Sequence, residues 1–320
     1  MKRLFTFGCS FTNYHWPTWA DILGREFDYY ENWGQTGGGN PFIFYSLIEC
    51  LRKNQVQETD TIVVMWSSIA RLDYYANHKW ITHGHWGNVP LEKKYQKKIA
   101  EINDDRGYLL RDVLVIDSAK RVLDSLGVKY IFLSMVPFDL KNDQGHLENQ
   151  DILEFFKDSF DAVRPSVYEL IFNFDWNSRP FLIQNKIEKK NYESATEKFY
   201  DQIKGVEWPS FEKFFKRDYT GIRKEVISEI EENFKEDLLK KMSEENNNTS
   251  KSPSRTMPAH WGTRIDLHPT PGEHLEYMTK ALPEFTLSEN TLEFVNICEE
   301  YVRTGESLAE IWQPCQITRL

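Results

Sequence analysis

Short apolar runs alternate with stretches of helical period over the first 137 residues, and the alternation predicts an open parallel sheet with helices packed on it. Residues 4–7 form an apolar strand that stops abruptly at Gly8-Cys9-Ser10. Trp19, Ile22 and Leu23 then recur at helical spacing, with Pro17 expected in the first turn. Residues 27–30 read as a second strand, followed by a glycine-rich loop over 34–40. The next helix is expected to start with Asn40 as its cap and Pro41 as its first residue, and it carries Ile43, Leu47, Ile48 and Leu51 on one face. Residues 61–66 are continuously apolar, as a central parallel strand covered on both faces must be. Val113, Ile116, Val122, Leu123 and Leu126 mark a helix closed by Gly127, and residues 128–136 are a strand rich in β-formers that ends at Pro137.

Beyond that point the alternation lapses. Residues 138–260 read as a mainly helical insertion, with amphipathic stretches at 151–160 and 225–242, a short strand near Trp208 to Phe211, and a mobile loop at 244–258. Residues 73–110 are polar and aromatic with little periodicity. Order returns at 261, where Pro271 opens a helix with Leu275, Met278 and Leu282 on its buried side, and residues 288–312 form a terminal helix. The expected organisation is an α/β unit of residues 1–137 and 261–320, interrupted at 138–260 by a lid, specificity or oligomerisation element. It is a three-layer α/β/α sandwich with a mostly parallel central sheet plus a large helical insertion.

Composition narrows the function classes. The net charge of −10 argues against a general nucleic-acid binder, which needs a basic footprint to displace counterions. Cys9, Cys50, Cys298 and Cys315 are widely spaced, so neither a zinc site nor a disulfide framework is suggested, and free thiols are expected. The residues before Phe7 are too few for a signal-peptide core or membrane span, so a chain that starts in its fold and a cytoplasmic location are expected. His83-Gly84-His85 has metal-ligand residue types but no partnering cysteine or carboxylate motif, and His78, Trp80 and Trp86 nearby make aromatic, substrate-facing loops the better reading. No metal and no cofactor is expected, and His274 reads as a packing or surface histidine.

Ligands of open α/β sheets collect beyond the carboxyl ends of the strands. Four segments deliver polar groups to that edge: Ser10, the 34–40 loop, Ser67-Ser68, and Asp266-Leu267-His268. A serine after a glycine at a strand end suits an exposed nucleophile, although a helix N-cap would use the same residue types. Phe7-Gly8-Cys9-Ser10-Phe11-Thr12, the run Asn32 to Asn40, and Asp266-Leu267-His268-Pro269 together resemble three blocks of the SGNH (GDSL-type) hydrolase superfamily, with Cys9 in place of the usual aspartate. The resemblance covers both ends of the chain and implies the flavodoxin-like fold of that superfamily. It also implies Ser10 as nucleophile, His268 as general base and Asp266 as the carboxylate that orients it.

The third block departs from the family. Where Gly-x-Asn-Asp is usual and the asparagine donates to the oxyanion, this chain has Met65-Trp66-Ser67-Ser68, with Arg71 close behind. The resemblance places the oxyanion hole at the N–H groups of Ser10 and Gly37, either alone or with Ser67, Ser68 or Arg71 as a substitute third donor. Asn40 and Arg71 are read as substrate contacts. The implied activity is hydrolysis of a small, acetyl-like ester, on a carbohydrate or other small molecule. The alternatives are acyl transfer to a sugar hydroxyl, or a non-catalytic carbohydrate-binding or virion-associated protein that keeps the fold. The third block and the Asp266 to Pro271 run also resemble a branch from tailed phages of marine bacteria, which would place the protein in the host cytoplasm or virion. No nucleic-acid or membrane partner is expected, and homo-oligomerisation is left open.

Overall fold

The computed structural model describes residues 1–69, 71–76, 78–85, 104–138, 150–173, 268–304, 307–315 and 317–319. Residues Met1–Arg179 and His268–Leu320 belong to one compact unit. Strands β1 (Arg3–Phe7), β2 (Tyr29–Asn32), β3 (Thr61–Trp66) and β6 (Lys129–Ser134) pair in parallel in the order β2-β1-β3-β6. In register, Phe5 lies beside Glu31 and Ile62, and Val64 beside Phe132. Val163 adds one isolated parallel bridge to Phe132 on the side of β6 away from β3.

Each strand alternates its side chains between two apolar layers. Leu4, Val63, Met65, Ile131 and Leu133 pack with α1 (Trp19–Gly24), α7 (Pro271–Ala281) and α8 (Glu289–Thr304). Phe5, Phe7, Ile62, Val64, Trp66 and Phe132 pack on the opposite side with α2 (Asn40–Asn54) and α3 (Asp105–Leu126). The result is a three-layer α/β/α sandwich. Every residue of β3 is buried, which is why its sequence shows no alternation.

Several element boundaries differ from expectation for local reasons. Helix α1 begins two residues after Pro17 because Thr18 caps it. The Thr18 side chain accepts from Ala20 N–H, while Asp21 reaches back to Thr18 N–H. Strand β2 starts at Tyr29, two residues later than the sequence suggests. Helix α2 is capped by Gly39 instead of Asn40, and Gly39 offers no side-chain bond. The missing cap comes from another element: the Asp73 carboxylate accepts from Gly39 N–H at 3.0 Å and from Phe42 N–H at 3.1 Å.

Asp73 belongs to a hairpin that the sequence pattern did not predict. Strands β4 (Arg71–Ala76) and β5 (Lys79–His85) are antiparallel, with His78 in the left-handed conformation at their turn. Helix α3 likewise starts at Asp105, capped by Asp104, eight residues before Val113, where its expected apolar stripe begins. Of the 138–260 stretch, Phe138 and residues 150–173 are described. Residues 150–173 hold three short helices, α4 (Gln150–Phe155), α5 (Lys157–Phe160) and α6 (Val167–Leu170), and Val167, Tyr168 and Phe172 enter the first apolar layer. The stretches at 208–211, 225–242 and 244–258 lie outside the described residues.

Residues 164–170 are tied to the far part of the chain. Tyr277 Oη donates to Pro165 O at 3.0 Å, Arg164 pairs with Glu284 and donates to Ala281 O, and Lys280 donates to Leu170 O. The C-terminal segment is tied as well: Arg319 donates to Ser46 Oγ and Trp33 O and lies over the rings of Trp33 and Phe42. Cys9, Cys50, Cys298 and Cys315 are free thiols. No described helix is long and apolar enough to cross a membrane.

Two glycines separate close approach from mere helical tolerance. A Cβ on Gly8 would stand 2.0 Å from Thr12 Oγ1 and 3.1 Å from Met65 O, whereas one on Gly107, in the first turn of α3, meets only Asp104 side-chain atoms from 3.2 Å outward. Gly8→Ala is expected to destabilise by about 1–3 kcal/mol through overpacking. Gly107→Ala should be neutral or stabilise by up to about 1 kcal/mol. Denaturant unfolding of the two variants beside the native protein measures both.

Candidate active site

The turn after β1 brings Ser10 to the carboxyl edge of the sheet. Thr12 and Asn13 N–H both donate to Cys9 O, so residues 9–13 make a tight turn and no helix begins there; Ser10 is not a helix cap. Two side chains hold that turn from below. Thr18 Oγ1 donates to Thr12 O at 2.6 Å, and Asn32 Nδ2 donates to the same oxygen at 2.7 Å. Asn32 Oδ1 accepts from Gly34 N–H, so one amide links the first turn to the second loop.

Under both loops lies Asp21, buried and accepting from Thr18, Tyr30 and Asn32. Burial pushes its carboxyl up, against the pull of those hydrogen bonds. Asp73 and Asp112 are also pushed up by burial. A raised folded pKa means that these three groups contribute stability fully present below the unfolded carboxylate range, about 4, and lost as pH rises through their folded values.

His268 lies on the loop just before α7, whose N-terminus is fixed by Thr270. The Thr270 side chain accepts from Glu273 N–H and the Glu273 carboxylate accepts from Thr270 N–H. This placement brings His268 Nε2 to 2.7 Å from Ser10 Oγ, joining residues 258 positions apart. For Ser10 to donate in that bond, Nε2 is the bare nitrogen and Nδ1 carries the proton. Asp266, the expected partner of Nδ1, lies outside the described residues.

The aromatic surroundings of His268 come from the segment that follows Ser10. Tyr14 stacks on the imidazole at 3.8 Å between centroids and 16° between planes, and Phe11 meets it edge-on at 5.4 Å. Trp16 Nε1 donates to Pro269 O at 2.7 Å. In the sequence, Tyr14 and Trp16 carry no signal beyond an aromatic run next to a nucleophile turn.

Gly37 has a φ of +79°, and a Cβ there would lie 2.6 Å from Thr82 O, so only glycine fits. Its carbonyl accepts from Gly84 N–H, and Gln35 Nε2 and Thr36 O both bond Thr82 Oγ1. The β4–β5 hairpin therefore buttresses the glycine loop. Among the described residues, the N–H groups of Ser10 and Gly37 have no hydrogen-bond acceptor.

The third-block residues have a different arrangement from an exposed donor pair. Ser67 is fully buried; its N–H donates to Asn40 Oδ1 at 2.8 Å and its carbonyl accepts from Asn40 Nδ2 at 3.1 Å. Asn40 Nδ2 also donates to Asp112, which Arg111 pairs. Asn40 is thus a fully buried brace between α2, the end of β3 and α3, with no amide group turned to the crevice. Ser68 is half-buried and its Oγ accepts from Arg71 Nε at 3.1 Å. Arg71 continues to Gly38 O through Nη1 and to Met135 Sδ through Nη2, and Met135 Sδ in turn lies 3.7 Å from Cys9 Sγ. The guanidinium so spans from the β2 loop to the β6 loop, over the ends of β1 and β3. Among the described residues no carboxylate lies within ion-pair distance of Arg71, and no cluster of metal-ligand residues occurs.

Asn40→Ala should strand the Ser67 N–H and carbonyl and one oxygen of Asp112 in a buried place, at a cost of about 2–4 kcal/mol. Urea unfolding of the variant reads this loss directly.

No family's sequence profile and no curated protein matches the chain. Among solved structures it is similar to a member of the lipolytic G-D-S-L family from Veillonella parvula DSM 2008, at 16% identity and a TM-score of 0.33, over 57% of this chain and 86% of that one.

Proposed function

We propose that the chain is a serine hydrolase that cleaves a small acyl ester by way of an acyl-enzyme. The observation that carries the reading is the 2.7 Å contact between Ser10 Oγ and His268 Nε2 at the carboxyl edge of a parallel sheet. In this reading Ser10 Oγ attacks the ester carbonyl while His268 Nε2 takes its proton. The tetrahedral oxyanion collapses, the acyl group stays on Ser10, and the proton passes from His268 to the departing alkoxide. Water activated by the same nitrogen then releases the acid and restores Ser10. Asp266 is assigned the orienting role at Nδ1.

The oxyanion would be met by the N–H groups of Ser10 and Gly37, which have no acceptor among the described residues. We assign the third donation to the Ser68–Arg71 pair. Because Arg71 Nε already donates to Ser68 Oγ, the Ser68 hydroxyl proton is left to point elsewhere, and the adjacent guanidinium adds positive charge where negative charge develops. Ser67 and Asn40 act beneath this pair as its support. A carbohydrate alcohol is suggested by the aromatic group in which Trp80 of β5 stacks on Tyr45 of α2 and meets Tyr75 of β4 edge-on, with Tyr45 54% and Tyr75 52% exposed. Flat aromatic faces of this kind pack against the apolar faces of sugar rings.

A fluorophosphonate probe is expected to label the native protein at Ser10, with labelling abolished in Ser10→Ala and greatly slowed in His268→Ala. On a short-chain p-nitrophenyl ester, Ser10→Ala should lower kcat by about 10⁴–10⁶-fold. Undiminished labelling or turnover in Ser10→Ala would remove the assignment.

Arg71→Met should lower kcat by about 10²–10³-fold with KM nearly unchanged, the pattern of a lost transition-state donor. Steady-state kinetics of the folded variant give both constants. A rise in KM alone would make Arg71 a substrate contact only.

A further inference from the structure

The imidazole of His268 is held by the loop that carries its nucleophile. Phe11, Tyr14 and Trp16 all lie within six residues of Ser10, and each touches the 268–269 segment by a different kind of contact. Tyr14 covers one face of the imidazole, Phe11 meets the ring at an interplanar angle of 66°, and Trp16 fixes the backbone one residue on by donating to Pro269 O. Trp16 also packs edge-on against Tyr14, at 4.7 Å and 79°, so it holds the plate as well as the backbone.

These contacts divide the work of orientation. Stacking at 3.8 Å resists tilting of the imidazole out of its plane but leaves it free to spin within that plane. The Nε2 contact to Ser10 settles the spin. Together they aim Nε2 along one line. Once His268 has taken the serine proton, the ring is a cation lying on the electron-rich face of Tyr14, and that arrangement is more favourable than the neutral stack. The gain arrives with proton transfer, so it lowers the barrier instead of tightening substrate binding.

From this geometry we infer that Tyr14 is a positioning residue for the general base, acting through its ring and assisted by Trp16. The inference rests on the reading of Ser10 and His268 as nucleophile and base. It adds a device by which residues 11–16 align the base from the nucleophile's own loop.

The test uses Tyr14→Phe, Tyr14→Leu and Trp16→Phe in the full chain, with histidine-labelled NMR and ester kinetics. In the native protein the His268 ring protons should resonate upfield, displaced by the Tyr14 ring. Tyr14→Phe should keep both the shift and the activity. Tyr14→Leu should lose the upfield shift and lower kcat by about 3- to 30-fold, with KM changed by less than about twofold. Trp16→Phe, which keeps an aromatic ring but removes the Nε1 donor, should move the His268 resonances and lower kcat in the same direction. This variant carries the test if Tyr14→Leu does not fold. Native-like His268 shifts and native kcat in Tyr14→Leu and Trp16→Phe would overturn the inference. So would a loss in Tyr14→Phe as large as in Tyr14→Leu, because the hydroxyl and not the ring would then be responsible. If the His268 shifts respond as described in a protein that no fluorophosphonate labels, the clamp stands and the esterase reading falls.

Discussion

The absence of a side chain at Gly8 is the constraint on which the site depends. Between the last residue of β1 and the Ser10 turn, the backbone passes so near Thr12 Oγ1 and Met65 O that no Cβ fits. That approach lets the chain turn at once instead of running on past the sheet. Ser10 is therefore presented at the carboxyl edge of the sheet by β1, whose residues Leu4 to Phe7 are fully buried beside the buried strand β3. Thr12 O, turned downward by the same bend, becomes the acceptor on which Thr18 and Asn32 converge. Through Asn32 the bend also sets the height of the 34–40 loop.

Polar groups buried at the strand ends follow a common rule: each loop is braced by a side chain from an element remote in sequence. Asn40 braces the end of β3, Asp73 caps α2, and Arg71 bridges Ser68, Gly38 and Met135. Parallel sheets leave such loops without a ladder to complete, so their backbone groups must find side chains. The buried carboxylates that result carry a desolvation penalty which the hydrogen bonds offset only in part, as their raised proton affinities show.

This rule also explains what could and could not be read from the chain. Strands β1, β3 and β6 were legible because burial on both faces leaves continuous apolar runs, and α2 and α7 because their buried stripes are regular. The hairpin was not legible. Its residues are half-exposed, and its position depends on Gly84 meeting Gly37 and Asp73 meeting Gly39, contacts that no local pattern encodes. The same holds for the α2 cap: Asn40 has the right chemistry for capping, but Asp73 does that work and frees Asn40 for Ser67. At the site, the residue types of Ser10 and His268 marked them out, and the fold brings them together. Tyr14 passed unnoticed because an aromatic residue near a turn has no signature that separates a plate for an imidazole from ordinary packing.

The stitching between residues 164–170 and α7 has an architectural consequence. Pro165, Leu170 and Arg164 are bonded to Tyr277, Lys280, Ala281 and Glu284, while Arg164 N–H donates to Phe132 O and Tyr168 N–H to Met135 O, so residues 164–170 tie α7 to the end of β6. The loop that carries His268 therefore leads into a helix with two moorings, the apolar layer and this polar stitch, and a shift at either one would be felt as a misaimed imidazole at Ser10.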